Sequence, residues 1–328
     1  RARALVSARA PAASPPHLIR AAEPRLGIQG ATMAHPSKRV LKTYPTAFLA
    51  PALLIFTIFY IVPAFVGLGL SLTDAKLTSS AMRFVGLANY ETLFASSGQF
   101  IPAVLHQFVF ALLVTLGKTG FGVLLALFLD QAFVGRDFLR ALVYAPIMVS
   151  LVVVGMVFNF LLDNDGILNG FLRVIGLDSL ARPWLGDFDT ALASVAAVDV
   201  WVGVGWTVVI VLAALQSVPQ ETIEAARIDG AGAVRVMWNV KLPLVAHAIN
   251  LALLLTFISG MKAFDIIYAT TGGGPGHSTE VISTFIAKQM VTGSLAIPAA
   301  ASFAQFVLIT ALAFFINTLI RRNEADAE

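Results

Sequence analysis

The chain has 328 residues, of which 58% are hydrophobic and only 12% charged, with a formal charge of +3. Soluble domains carry about 25% charged residues, so this composition excludes an ordinary soluble globule and places the chain in a bilayer. The lack of cysteine excludes disulfides, thiolate chemistry and cysteine-ligated metals.

Residues 1–32 are rich in Arg, Ala and Pro and contain no apolar core segment, which excludes a secretory signal peptide. The expectation is that Met33 is the native start; the alternative is a disordered cytoplasmic tail. Six apolar runs follow, at about 46–73, 104–129, 138–162, 190–215, 244–270 and 295–320. A hydrocarbon core takes about 20 apolar residues as a helix, and a spanning segment must satisfy its own backbone hydrogen bonds. The predicted fold is therefore all-α: a polytopic membrane protein with six transmembrane helices. The expected divisions are a cytoplasmic tail over 1–43, a six-helix domain over 44–322 and a second cytoplasmic tail over 323–328.

Lys and Arg of the termini and connections, with Arg140 at the edge of the third run counted to its connection, number 15 on the side of the termini and 5 on the other. Without residues 1–32 the ratio is 10 to 5. The richer side is the cytoplasmic one, so both termini and the 216–243 connection are predicted to face the cytoplasm. One opposite loop, 163–189, carries Asp163, Asp165, Asp178, Asp187 and Asp189.

The 216–243 connection is the most informative stretch. Ser217 and Gln220 fit a capping box with Pro219 in the first turn, and Glu221 and Glu224 sit near the positive helix end. Glu224 and Arg227 are spaced to pair. Asp229-Gly230 is predicted to stop the helix by a left-handed turn, and a second short helix, roughly 233–239, leads to Leu242-Pro243. Ala225, Ala226, Gly230, Ala231, Gly232 and Ala233 make a small-residue face. A plain connection between helices needs about 2–8 residues; this one has 28. On these grounds it is either a docking element or a capped helix resting on lipid headgroups.

The stretch EAARIDGAGAVRVMWNVKLP resembles the EAA motif of permease subunits in binding-protein-dependent ABC importers. Glu224-Ala225-Ala226, Gly230, Val240, Leu242 and Pro243 match it, with Val for the usual Ile. FVGLANY (84–90), YAPIMVS (144–150), DGILNGFL (165–172) and FDIIYATTGGGPGHST (264–279) resemble maltose-type sugar permeases, specifically the first of their two paired subunits. Residues 1–32 lie outside the likeness. The resemblance implies the type I ABC importer permease fold, in a bacterial or archaeal plasma (inner) membrane. It implies that Glu224, Ala225, Ala226, Asp229, Gly230 and Ala231 form a coupling helix seated in a cytoplasmic ATPase. The implied partners are a second homologous permease, two ATPase copies, an external solute-binding protein and a sugar. ATP and Mg would sit on the ATPases, and this chain would bind no cofactor, metal or nucleic acid.

Two motifs are decoys. Leu116-Gly117-Lys118-Thr119 looks like the end of a P-loop, but the first Gly of that pattern falls on Leu112. Gly272–Gly276 lacks the spacing of a dinucleotide fingerprint and is expected to shape an outer mouth.

Polar residues inside spans are functional candidates by default. Lys262 and Asp265, three apart, are read as an ion pair or as a gate or substrate contact; Lys118 either snorkels or pairs with a partner subunit. Trp201 and Trp206 share a span with Asp199, Gly203 and Gly205, and aromatic faces suit sugar rings. Counting from the EAA motif, Trp201, Gly203, Trp206, Ser259, Gly260 and Ala263 match sugar-facing positions of the maltose-type family. The last two replace amides common there, which implies a different or roomier pocket. Ser150 is a further candidate. A glycerol-phosphate permease shares these motifs, but only Lys118 and Lys262 are available to hold an anion, which favours a neutral sugar. An ion-coupled secondary transporter would need a complete coupling-ion site within one chain and no docking loop; a membrane scaffold without transport would show no substrate-stimulated ATPase in the reconstituted complex.

Overall fold

The computed structural model describes residues 46–79, 81–95 and 98–325. The expected tail over 1–43, with the question of Met33, and residues 326–328 lie outside these. The described residues fall into two units, with the boundary between Thr57 and Ile58. In the first, the described residues form a 3-10 turn, Thr46–Leu49, that runs into a helix beginning at Ala50.

The helices in chain order are α1 (Ala50–Ser71), α2 (Ala88–Phe94), α3 (Phe100–Asp130), α4 (Arg136–Met148), α5 (Leu151–Leu161), α6 (Ile167–Val174) and α7 (Ala191–Gln216). They continue as α8 (Gln220–Ile228), α9 (Ala233–Leu244), α10 (Ala246–Met261), α11 (Asp265–Thr270), α12 (Ile282–Val291) and α13 (Ala296–Ala325). Four of them, α1, α3, α7 and α13, are each long and apolar enough to cross a bilayer. Two bent pairs, α4 with α5 and α9 with α10, raise the number of crossings to as many as six.

Two of the expected spans are not single helices. The third run breaks at Val149-Ser150, where α4 and α5 meet at 98°. Pro146 cannot donate to the helical ladder, residues Ala145–Met148 tighten into a 3-10 turn, and Val149 is extended. The fifth run stops at Met261 and restarts at Asp265, with Lys262, Ala263 and Phe264 between. At its start α9 and α10 are bent by 64° about Val245, just after Pro243.

Helices in lipid gain little from hiding apolar surface against each other, so close approach of small residues carries their association. The central pair α3 and α7 follows this rule: Gly117 faces Val200 and Gly122 faces Thr207. Two buried clusters run along this pair. One joins Phe110 and Val114 to Val195, Val202, Ile266 and Ile267. The other joins Ala126 and Leu129 to Val208, Leu212, Ile223 and Val236. The outward residues of α3 remain apolar, with Leu116, Phe121 and Leu124 exposed, as a lipid-facing surface requires.

Candidate functional site

The segment after α7 is anchored on one face and open on the other. Val218, Ile223 and Val236 are buried in the cluster that includes Leu127, Leu129 and Leu215. Glu224, Ala225, Arg227, Asp229 and Gly230 are exposed, and Ala226 and Ala231 are half-buried. Ile228 is 86% exposed, and Val234 and Trp238 are also exposed. An anchored turn thus presents small, charged and apolar side chains with none of the described residues covering them.

The turn ends α8 in a Schellman motif. Gly230 has φ +84°, its N–H donates to Arg227 O at 3.0 Å, and the Ala231 N–H donates to Ala226 O at 3.0 Å. A Cβ at Gly230 would meet nothing within 4 Å, so backbone conformation, not space, selects glycine.

Three local expectations differ. The capping box does not form: Ser217 keeps helical backbone as the C-cap of α7, and its hydroxyl donates to Ala214 O at 2.7 Å. The nearby free carbonyl wins over a helix start that Pro219 has displaced. Glu224 and Arg227 form no ion pair among the described residues, and both point to solvent, where such a pair is weak. The second helix runs past 239 to Leu244, through a π turn over Met237–Lys241.

The interior site begins with Asp199, the ninth residue of α7. Its Oδ2 accepts a hydrogen bond from Lys118 Nζ at 2.7 Å, with side chains 8% and 11% exposed. Lys118 therefore neither snorkels nor waits for another chain. It stands twelve residues from the end of α3, about 18 Å at 1.5 Å per residue, beyond the reach of a lysine stem. Gly203, one turn below Asp199, makes the room: a Cβ there would lie 2.3 Å from Lys118 Cε.

Asp199 also lines a cleft of about 350 Å³, with Leu151, Ser259, Lys262, Ala263 and Asp265. Four expected path residues, Ser259, Lys262, Ala263 and Asp265, thus share one wall. Lys262 and Asp265 do not pair, because the helix ends at Met261 and the three-residue helical spacing is lost between them. Ser150 is exposed beside Leu151, in the break between α4 and α5.

The other expected path residues lie elsewhere. Gly203 faces Lys118. Gly260 is a helix contact: a Cβ would lie 2.8 Å from Ala111 Cα, and its carbonyl accepts from Gln107 Nε2 at 2.7 Å. Trp201 is half exposed with its ring 5.3 Å from Phe158, and Trp206 is exposed.

One pairing and one residue escaped the sequence reading. Pairing of Lys118 with Asp199 had a signal, since opposite charges in two apolar runs must find each other. Asn169 had none: fully buried, it donates to Asn164 O (3.0 Å) and Arg182 O (2.8 Å) and accepts from Trp184 Nε1 (2.8 Å), tying the 163–189 loop together.

The model of the family described as "Binding-protein-dependent transport system inner membrane component" matches residues 118–325. The chain is 34% identical over 275 residues to a probable ABC transporter permease protein of Bacillus subtilis, YurN, covering 83% of this chain and 93% of that one. It is 31% identical over 262 residues to the trehalose/maltose transport system permease protein MalF of Thermococcus litoralis, covering 80% and 88%. Among solved structures, it is similar to a chain of a bacterial alginate ABC transporter in complex with an alginate pentasaccharide-bound periplasmic protein. That likeness has 26% identity and a TM-score of 0.73, over 84% of this chain and 93% of the other.

Proposed function

Because this chain belongs to the family of binding-protein-dependent transport system inner membrane components, we propose that it is one of two paired permeases of an ATP-driven saccharide importer. The observation that carries this reading is the two-faced turn at 220–233. It is anchored through Ile223 and Val236 and leaves Glu224, Ala225 and Gly230 open. A motor subunit is the partner this face fits. ATP and its Mg would belong to two copies of that motor, and this chain is a transport subunit.

The charge asymmetry supports a cytoplasmic position for the turn and both termini. The opposite side would receive a loaded solute-binding protein. Alternating access follows: the motors close on ATP, draw the two turns together and open the path outward. Hydrolysis then lets it reopen inward.

A saccharide is favoured by the names of relatives, by the half-exposed Trp201 ring, and by Ser259 in the cleft wall. The charges around the cleft cancel. Lys118 is matched by Asp199, and Lys262 faces the same space as Asp265. No surplus cation is left there for a phosphate or uronate, which favours an uncharged sugar over the glycerol-phosphate reading.

Reconstitution in liposomes with the second permease, the motors and the binding protein tests this. Uptake of a neutral sugar that requires both ATP and the binding protein is the expected result. Uptake by this chain alone under an ion gradient would replace the proposal with a secondary transporter.

A further inference from the structure

We infer that the Lys241–Asp130 ion pair, which joins the end of α9 to the end of α3, is the link that carries motion of the coupling turn into the bundle. Both are positioning residues, and the inference rests on the proposed docking of that turn against a motor subunit.

Asp130 is the last residue of α3. A helix C-terminus carries partial negative charge and disfavours a carboxylate. This one is held by cations from two other segments. Lys241 Nζ bonds Asp130 Oδ2, and Arg140 Nη2 donates to the neighbouring Leu129 carbonyl at 3.1 Å. Asp137, the other acid here, is exposed and is engaged with Arg136 and Arg140. The Lys241 and Asp130 side chains are only 22% and 12% exposed. Their attraction is therefore less screened than that of a surface pair, and either charge alone would be poorly solvated.

Lys241 closes the π turn Met237–Lys241, two residues before Pro243. A π turn interrupts the regular ladder and lets a helix yield at a defined point. On the other side of the pair, α3 is unbroken for 31 residues. It carries Lys118 about 18 Å from Asp130 at 1.5 Å per residue, and Lys118 holds Asp199 at the cleft wall. The contacts form a continuous chain: turn, α9 up to its π turn, ion pair, α3, second ion pair, cleft. Apolar contacts alone would let α9 slide along α3; a directed charge pair fixes one point of attachment.

The experiment uses the complete importer in liposomes, with Asp130→Asn, Lys241→Gln and the exchange Asp130→Lys/Lys241→Asp. Two quantities are read: sugar molecules imported per ATP hydrolysed, and cross-linking of the motor to this chain carrying Ala225→Cys in every variant. Each single variant is expected to retain cross-linking while the ratio falls about tenfold, within the usual range of coupling between sites. The exchange is expected to restore at least half of the ratio, since a cation at the end of α3 also suits the helix dipole. Unchanged ratios in the single variants, or an exchange that restores nothing, overturn the link. Absence of cross-linking in the importer carrying Ala225→Cys alone overturns the docking reading and the link with it.

Discussion

Lys118 Nζ and Asp199 Oδ2 meet at 2.7 Å between α3 and α7, with both side chains nearly buried. An ion pair removed from water is weak evidence for stability, but removing one partner is costly because the other charge is stranded. Asp199→Asn or Lys118→Met is expected to destabilise the chain by about 3–5 kcal/mol. Thermal unfolding in detergent checks this. The double replacement Lys118→Met/Asp199→Leu should recover most of the loss, and single variants as stable as the parent would refute the pair.

Gly203 depends on the same lysine. A methyl group there would overlap Lys118 Cε, so Gly203→Ala is expected to cost about 1–3 kcal/mol as overpacking. In a Lys118→Ala background that cost should vanish, because the obstructing stem is gone. Equal costs in the two backgrounds, measured by the same melt, would show that another neighbour sets the limit.

Gly230 separates space from conformation. Its surroundings are empty but its φ is +84°. Gly230→Val should leave the chain membrane-inserted yet weaken motor association, because a left-handed residue with a Cβ costs about 1–2 kcal/mol and a β-branched one resists most. Gly230→Asn should associate nearly normally, since Asn tolerates this backbone. Co-purification of the motor distinguishes the two; normal assembly of the Val variant would move the joint elsewhere.

Trp201 presents half of its ring beyond its contact with Phe158. If it stacks on sugar, Trp201→Ala should raise the half-saturating sugar concentration for uptake about fivefold, near the 1 kcal/mol typical of such contacts. Unchanged uptake across a panel of sugars would remove Trp201 from the path.

Much of the helical organisation was legible residue by residue. Apolar runs long enough to span a bilayer have few alternatives to helix, and Asp229-Gly230 announced its own left-handed turn. The breaks were harder to see. Pro146 was visible, but whether a proline merely kinks a helix or ends it depends on neighbours that satisfy the freed carbonyls. The stop at Met261 carries no proline at all. Lys262 and Asp265 therefore looked like helical neighbours until the break separated them.

The site was half legible. Ser259, Lys262, Ala263 and Asp265 were named from the chain and share a wall. Gly203 and Gly260 were named with them but serve close packing, because a glycine that admits a ligand and one that admits a neighbouring helix read the same in one dimension.

Composition, run length and local turn chemistry by themselves determined an all-helical membrane chain with a glycine-ended turn between two apolar runs, since each depends on nearby residues and the solvent. Only the tertiary structure decided that Lys118 belongs to Asp199 and Lys241 to Asp130. Those partners lie 81 and 111 residues apart, and the energy of a charge pair depends on distance in space, which sequence separation does not specify.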